Sequence, residues 1–250
     1  MTTAAKWFLP SAGLALVLVF WQAYVYSQPN KFLKPPIGDV YHELVVNREQ
    51  YLDAGAATME EAGLGFAVGN FLAVILAVWM AYSEGVARLV YPYAIALKAT
   101  PVVALAPLLV SLFGLGTTSK IVCAAIVCFF PVIVQVPDSL RRIPDELLDL
   151  FKSFGASERD IFLRLRIYFA APSFFGALKT SSTLSVVGAI VGEFMSPDRG
   201  VGRDLVYATA NGEGAKLVAT TLISTAIGIL FFSVVYGCER AFVTWKSDTL

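Results

Sequence analysis

The sequence predicts an all-α, polytopic membrane protein with six transmembrane helices, on three observations. Hydrophobic residues make up 57% of the chain, charged residues only 15%, and the mean hydropathy is +0.68. A soluble domain carries roughly 45 to 50% apolar and 25% charged residues. Six apolar stretches, 7–26, 62–82, 89–113, 120–136, 172–195 and 217–238, approach the roughly 20 residues that cross a hydrocarbon layer about 30 Å thick. Between the fourth and fifth lies a charged insert, 138–168, that no bilayer requires.

The first stretch, 7–26, is aromatic at both ends and no small-residue cleavage pattern follows it, so it is expected to stay as an anchor helix and not leave as a signal peptide. Segment 35–53 is too polar to span. It places Ile37, Val40, Tyr41, Leu44 and Val45 on one helix face after Pro35 and Pro36, as an amphipathic helix lying on the outer surface or against the spans would. His42, the only histidine, has no Cys or second His beside it and reads as a solvated side chain. Cys123, Cys128 and Cys238 match no disulfide or zinc spacing and read as small hydrophobes.

Within the spans, Pro101, Pro107 and Pro131 remove backbone donors, which bends helices around a pathway or sets fixed packing kinks. Thr180-Ser-Ser-Thr-Leu-Ser in the fifth span adds hydroxyls that bond back to their own helix or face a wet pathway, with Ser182 as a pathway candidate. Gly188-x-x-x-Gly192 marks a close helix approach, within one subunit or between two. Charges in spans are costly, and three stand out: Lys98, Lys179 and Glu193. Lys179 and Glu193 are fourteen residues apart, so they share a helix face about 21 Å apart and do not pair. Each either snorkels or meets a partner on another helix, or lines the pathway. Lining by the two lysines would favour an anionic solute.

In the insert, Pro144 with Asp145 and Glu146 starts a helix, and Leu147, Leu148, Leu150, Phe151 and Phe154 form its apolar stripe up to Gly155. Gly155 suits a left-handed helix end. A second stretch, 157–168, opens on Ser157 with Asp160 three residues later, a weak capping signal. The insert therefore reads as two short helices hinged at Gly155-Ala156, either a docking surface for a soluble partner or a hairpin resting on lipid headgroups. Six Lys and Arg of the insert join Lys6, Arg88, Arg240 and Lys246 on one side, against Lys31, Lys34, Arg48, Lys120, Arg199, Arg203 and Lys216 on the other. Ten against seven places both termini and the insert in the cytoplasm. The formal charge is zero, so nothing argues for nucleic acid as a partner.

These features resemble the permease subunits of binding-protein-dependent ABC importers, in the branch with nitrate, sulfonate and taurine permeases. That family's cytoplasmic signature is Glu-Ala-Ala, three residues, Gly, then an apolar stretch closing on Pro. Here Gly155 and Ala156 take the Gly position and its follower, Asp149, Leu150 and Phe151 stand at Glu-Ala-Ala, and Tyr168 replaces the closing Pro, although Pro172 matches a second one. Thr100-Pro-Val-Val-Ala-Leu-Ala-Pro-Leu-Leu, Phe113-Gly-Leu-Gly-Thr-Thr-Ser-Lys, Phe129-Phe-Pro-Val, Gly192-Glu-Phe and Gly200-Val-Gly follow the branch in order across 35–240.

The resemblance implies a type I importer permease fold, one permease domain over 1–250, with a first span and external segment (1–54), a core (55–240) and a coupling helix between helices four and five in segment 145–168. It assigns ATPase coupling to Asp149, Leu150, Phe151, Phe154, Gly155, Ala156 and Arg159, and candidate binding-protein contacts to Arg199, Gly200 and Gly202 in the connector 196–216. It implies cytoplasmic ATP-binding subunits, an external substrate-binding protein, a second permease copy as a homodimer, and the bacterial inner membrane. The solute would be small and anionic, like nitrate, sulfonate or taurine; relatives also carry vitamin precursors and aromatic carboxylates. The sequence itself has no Gly-x-x-x-x-Gly-Lys-Ser/Thr loop to hold ATP phosphates, no Ser/His/Asp set, no metal cluster and no cofactor motif, so it reads as no enzyme. The alternative is a secondary transporter or channel coupled to ions through Glu193 or Lys98; a scaffold or lipid-active enzyme has little support.

Overall fold

The computed structural model describes residues 3–27 and 34–245, with the side chains of 3–11 and 14 excepted. Lys31 and Lys246 lie outside the described residues, and the side chain of Lys6 is among those excepted. Eleven helices follow one another among the described residues: α1 (Thr3–Ser27), α2 (Ile37–Val46), α3 (Arg48–Tyr82), α4 (Glu84–Ala99), α5 (Val102–Phe113), α6 (Thr117–Arg141), α7 (Asp145–Ser153), α8 (Glu158–Ile161), α9 (Ile167–Met195), α10 (Val201–Asn211) and α11 (Gly214–Phe242).

Among the described residues, four helical runs are long and apolar enough to cross a membrane: α3, α6, α11 and the run Glu158–Met195 that ends in α9. The pair α4–α5 passes the same test only when taken together across its bend, as a broken span or a re-entrant loop does. The first predicted span falls in α1, whose described apolar part, Ala15–Ser27, is shorter.

Helix α6 is the axis of the bundle, gripped by α3 on one side and α9 on the other. Small residues make that approach possible. A Cβ on Gly69 would come within 2.7 Å of Cys128 Sγ, and one on Gly188 within 2.7 Å of the Ala124 Cα. A Cβ on Gly192 would stand 2.8 Å from the Cα of Lys120. Gly188 and Gly192 therefore pack within the subunit. Buried Ala62, Ala124 and Ala189 continue the seam. A polar tie crosses it, with Ser181 Oγ 2.6 Å from the Cys128 carbonyl and 2.9 Å from Asn70 Oδ1. At the other end of the bundle, Arg141 donates to the Met80 and Ala81 carbonyls, covering acceptors that the last turn of α3 leaves free.

Three sequence expectations are corrected. The predicted span 89–113, expected to bend or kink at its prolines, is two separate helices meeting at 103°, broken at Thr100-Pro101. Pro101 has no N–H to continue the ladder and forces Thr100 into extended backbone, with φ −74° and ψ 126°. Of the surface segment 35–53, only 37–46 forms the separate helix; Arg48 to Asp53 begin α3. Val40 and Leu44 of α2 pack with Tyr51, Val218 and Ala219, while Tyr41 and Val45 stay exposed. The second helix of the insert is not short: α8 passes through a π-helical turn, Phe162–Arg166, straight into α9.

Candidate functional site

The insert is a rigid elbow fixed to the fifth span. Helix α7 ends in a Schellman motif: Gly155 N–H donates to the Lys152 carbonyl at 2.9 Å and Ala156 N–H to the Phe151 carbonyl at 3.1 Å. Gly155 takes φ +73°, the left-handed conformation expected of it. Ser157 then caps α8 in a full capping box with Asp160. Phe151, Ala156, Leu147 and Leu148 close over Ile143, Ile161 and Leu165, so α7 is clamped to the run that becomes α9. Leu150 and Phe154 point the other way; Phe154 is 81% exposed. Asp149 and Arg159 are exposed beside them. An elbow packed on one face and bare on the other can pass a push on α7 into a span, which is what a lever needs.

At the opposite end lies a buried charge cluster that the sequence reading missed. Lys120 Nζ donates to Glu61 Oε1 at 3.1 Å, to the Arg199 carbonyl at 3.1 Å and to Asp198 Oδ1. Arg199 in turn reaches Glu60 at 3.1 Å and Glu61 at 3.7 Å. Burial pushes the Asp198 carboxyl up, but the hydrogen bond and charge of Lys120 outweigh it and hold it below the usual carboxylate range. The available signal was charge at matching ends of three spans: Glu60-Glu61 before the second, Lys120 opening the fourth, Asp198-Arg199 after the fifth.

The candidate pathway residues separate. Glu193 is wholly buried, accepting from Thr58 Oγ1 at 2.6 Å and from the Gly202 N–H, so it meets interhelical partners. Ser182 is buried and donates to the Lys179 carbonyl of its own helix at 2.7 Å. Lys179 pairs with Glu239 of α11 at 2.5 Å. Only Lys98 is exposed in a cleft. Gly200, at φ +107°, and Gly202 are buried against Glu193, which leaves Arg199 as the exposed member of the predicted binding-protein contacts. Arg199 also lines a cavity of about 570 Å³ with Asp53, Glu60, Arg203 and Asp204.

A bundle of membrane-length helices around a small-residue seam, with a rigid polar elbow joined to one span, defines a multi-pass transport permease. Residues 69–244 match the family described as binding-protein-dependent transport system inner membrane component, and the chain belongs to that family. It is 30% identical to the formylaminopyrimidine transport permease protein of Halalkalibacterium halodurans, covering 95% of each chain. It is 32% identical to the riboflavin transport system permease protein of Chloroflexus aurantiacus, over 94% of this chain and 89% of that one. A putative aliphatic sulfonates permease of Bacillus subtilis is 25% identical over 75% of this chain and 68% of its own. The fold matches a chain of the inward-facing MetNI methionine ABC transporter with a TM-score of 0.59, at 17% identity, over 79% of this chain and 95% of that one.

Proposed function

We propose that this chain is the membrane-spanning subunit of an ATP-driven importer, two copies of which form a pathway for a small solute handed over by an external binding protein. Both termini and the elbow face the cytoplasm, where ATP-binding subunits grip α7 and their closure swings the spans. The observation that carries this reading is the elbow itself: a bare Leu150–Phe154 face on a helix locked by a Schellman end to the run leading into α9. An exposed aromatic beside an exposed leucine, on a polar helix held in place from its other face, suits a partner surface.

For the solute, the higher identity to the formylaminopyrimidine and riboflavin permeases, 30 and 32% against 25% for the aliphatic sulfonates permeases, supports a nitrogen-heterocyclic vitamin precursor over a sulfonate. The anion argument is weakened because Glu239 neutralises Lys179. It keeps one specific support, the exposed cation Lys98. The test is purification of the intact complex: an ATPase should come with the parent chain and be lost on Gly155→Trp, and uptake should require ATP. ATP-independent uptake would establish a secondary transporter instead.

A further inference from the structure

Beneath the α4–α5 break lies a cavity of about 310 Å³, walled by α6 and by the middle of α9. Its floor is apolar, with Val127, Phe130 and Leu184, and its polar groups are Lys98, Thr100, Gln135 and Thr180. Among the described residues, neither Lys98 nor Gln135 has an ion-pair or hydrogen-bond partner, and both are exposed. In a membrane bundle a bare amide and a broken backbone are accommodated against protein or a water-filled path and not against lipid, and an ammonium is too unless its side chain snorkels to the interface. A second cavity, of about 370 Å³, shares Val134 and Gln135 with the first and continues to Asp138, Ser139 and Arg142 at the elbow end. The two form a track along one face of the subunit.

The hydrogen-bonding chemistry of the upper cavity is mixed. Lys98 can only donate. Thr100 and Thr180 already donate to the Ala96 and Gly176 carbonyls of their own helices, at 3.0 and 3.3 Å, so their free lone pairs accept. Gln135 does both. An acceptor-only sulfonate would satisfy Lys98 and meet the lone pairs of the two threonines unfavourably. A flat ring bearing both amino donors and ring-nitrogen or carbonyl acceptors satisfies all of them, with its face on Val127, Phe130 and Leu184.

We propose that Lys98, Gln135 and Thr180 form a solute-contact site within the membrane for a small amino-substituted nitrogen heterocycle, part-way along the track to the elbow. The proposal rests on the importer reading and deepens it. The test uses the intact complex in inverted membrane vesicles, in a Cys238→Ala background, with Lys98→Cys, Gln135→Cys and Thr180→Cys, and with Ile229→Cys on the exposed face of α11 as the lipid control. A membrane-impermeant cationic methanethiosulfonate should label the three positions at least about tenfold faster than Ile229→Cys. Formylaminopyrimidine should slow that labelling and ethanesulfonate should not. Lys98→Met should lower formylaminopyrimidine uptake about tenfold while the ATPase stays bound, as loss of one charge-assisted hydrogen bond predicts.

If the parent complex takes up formylaminopyrimidine but the three cysteines react no faster than Ile229→Cys, a second copy or lipid covers the cleft; the site is then overturned and the importer reading stands. Labelling that formylaminopyrimidine leaves unchanged also overturns the site. Protection by ethanesulfonate alone overturns the ring assignment. Uptake without ATP defeats the importer reading, whatever the labelling shows.

Discussion

Lys120 and Glu61 form an ion pair, 3.1 Å apart, in which neither side chain has any exposed surface. The three ammonium hydrogens have three acceptors: Glu61, Asp198 and the Arg199 carbonyl. One lysine of α6 thus ties α3 to the turn after α9. Removing Lys120 leaves the buried Glu61 with only Arg199, 3.7 Å away, to offset its charge, a loss that reaches at most the about 3 to 5 kcal/mol of a fully broken buried pair. Lys120→Met should therefore lower the thermal stability of the detergent-solubilised complex severely. Lys120→Met with Glu61→Leu should lose less than Lys120→Met alone, because the stranded carboxylate is gone. A double-mutant cycle on melting temperature measures this; strict additivity of the two single losses would show that the pair is not coupled.

The acid limb of stability should carry the signature of Asp198, which lies in the turn between α9 and α10. Its carboxyl is held below the usual range, with burial opposing and Lys120 prevailing. A depressed carboxyl contributes stability that is fully present above its unfolded value of about 3.9 and is lost as pH falls through the lower folded value. Stability from this contact should be flat from neutral pH down to about pH 4 and decline below it. Asp198→Asn should start lower at neutral pH and show a shallower fall in acid. Melting temperatures of the two chains across that range decide it, and parallel acid limbs would remove Asp198 from the account.

The glycine seam offers a contrast inside one helix. A Cβ on Gly188 would stand 2.7 Å from the Ala124 Cα, whereas one on Gly176 meets nothing within 4 Å. Gly188→Ala must push α9 off α6 and should cost about 1 to 3 kcal/mol. Gly176→Ala should be neutral or stabilising by about 0.5 to 1 kcal/mol, since it only removes backbone freedom from a helix. Because the Gly188 contact lies within the subunit, the oligomeric state of Gly188→Ala should match the parent when both are sized at low temperature. A subunit-exchange defect with unchanged melting would place the contact between subunits instead.

The parts of this fold legible in the sequence are those set by local composition. Apolar run length located the helices, and Pro144 and Gly155 bracketed α7 because start and stop signals act within a turn. Pro101 was visible too, but a proline signals only a lost hydrogen bond. Whether the chain bends slightly or turns through 103° depends on what packs beneath it. Arg48 to Asp53 looked like surface because a polar helix extension and a surface helix share one periodicity. Lys120 was read as a flanking charge, since its burial needs Glu61, Asp198 and Arg199, 59 to 79 residues away, to converge on it. Glu193 was identified as costly, but its partners Thr58 and Gly202 could be named only once the helices were assembled.

The elbow separates stability from coupling at adjacent residues. Phe154 is 81% exposed, so Phe154→Ala removes almost no packing from the permease and should leave its melting temperature unchanged. If the ATPase groove buries that ring, the same change should weaken retention of the ATPase by about 2 kcal/mol, roughly thirtyfold, the scale of an aromatic anchor. Gly155 acts through the backbone. At φ +73° a Cβ meets no neighbouring atom within 4 Å, so Gly155→Ala pays only for the left-handed conformation, about 1 to 2 kcal/mol, and strains the Schellman end. Gly155→Ala should therefore lower permease stability measurably and ATPase retention less than Phe154→Ala does. Pull-down of the ATPase at several salt concentrations, beside melting curves of the same two variants, gives the comparison. Full retention and full ATP-driven uptake by Phe154→Ala would mean that the exposed ring is not the contact, and that force enters the fifth span by another route.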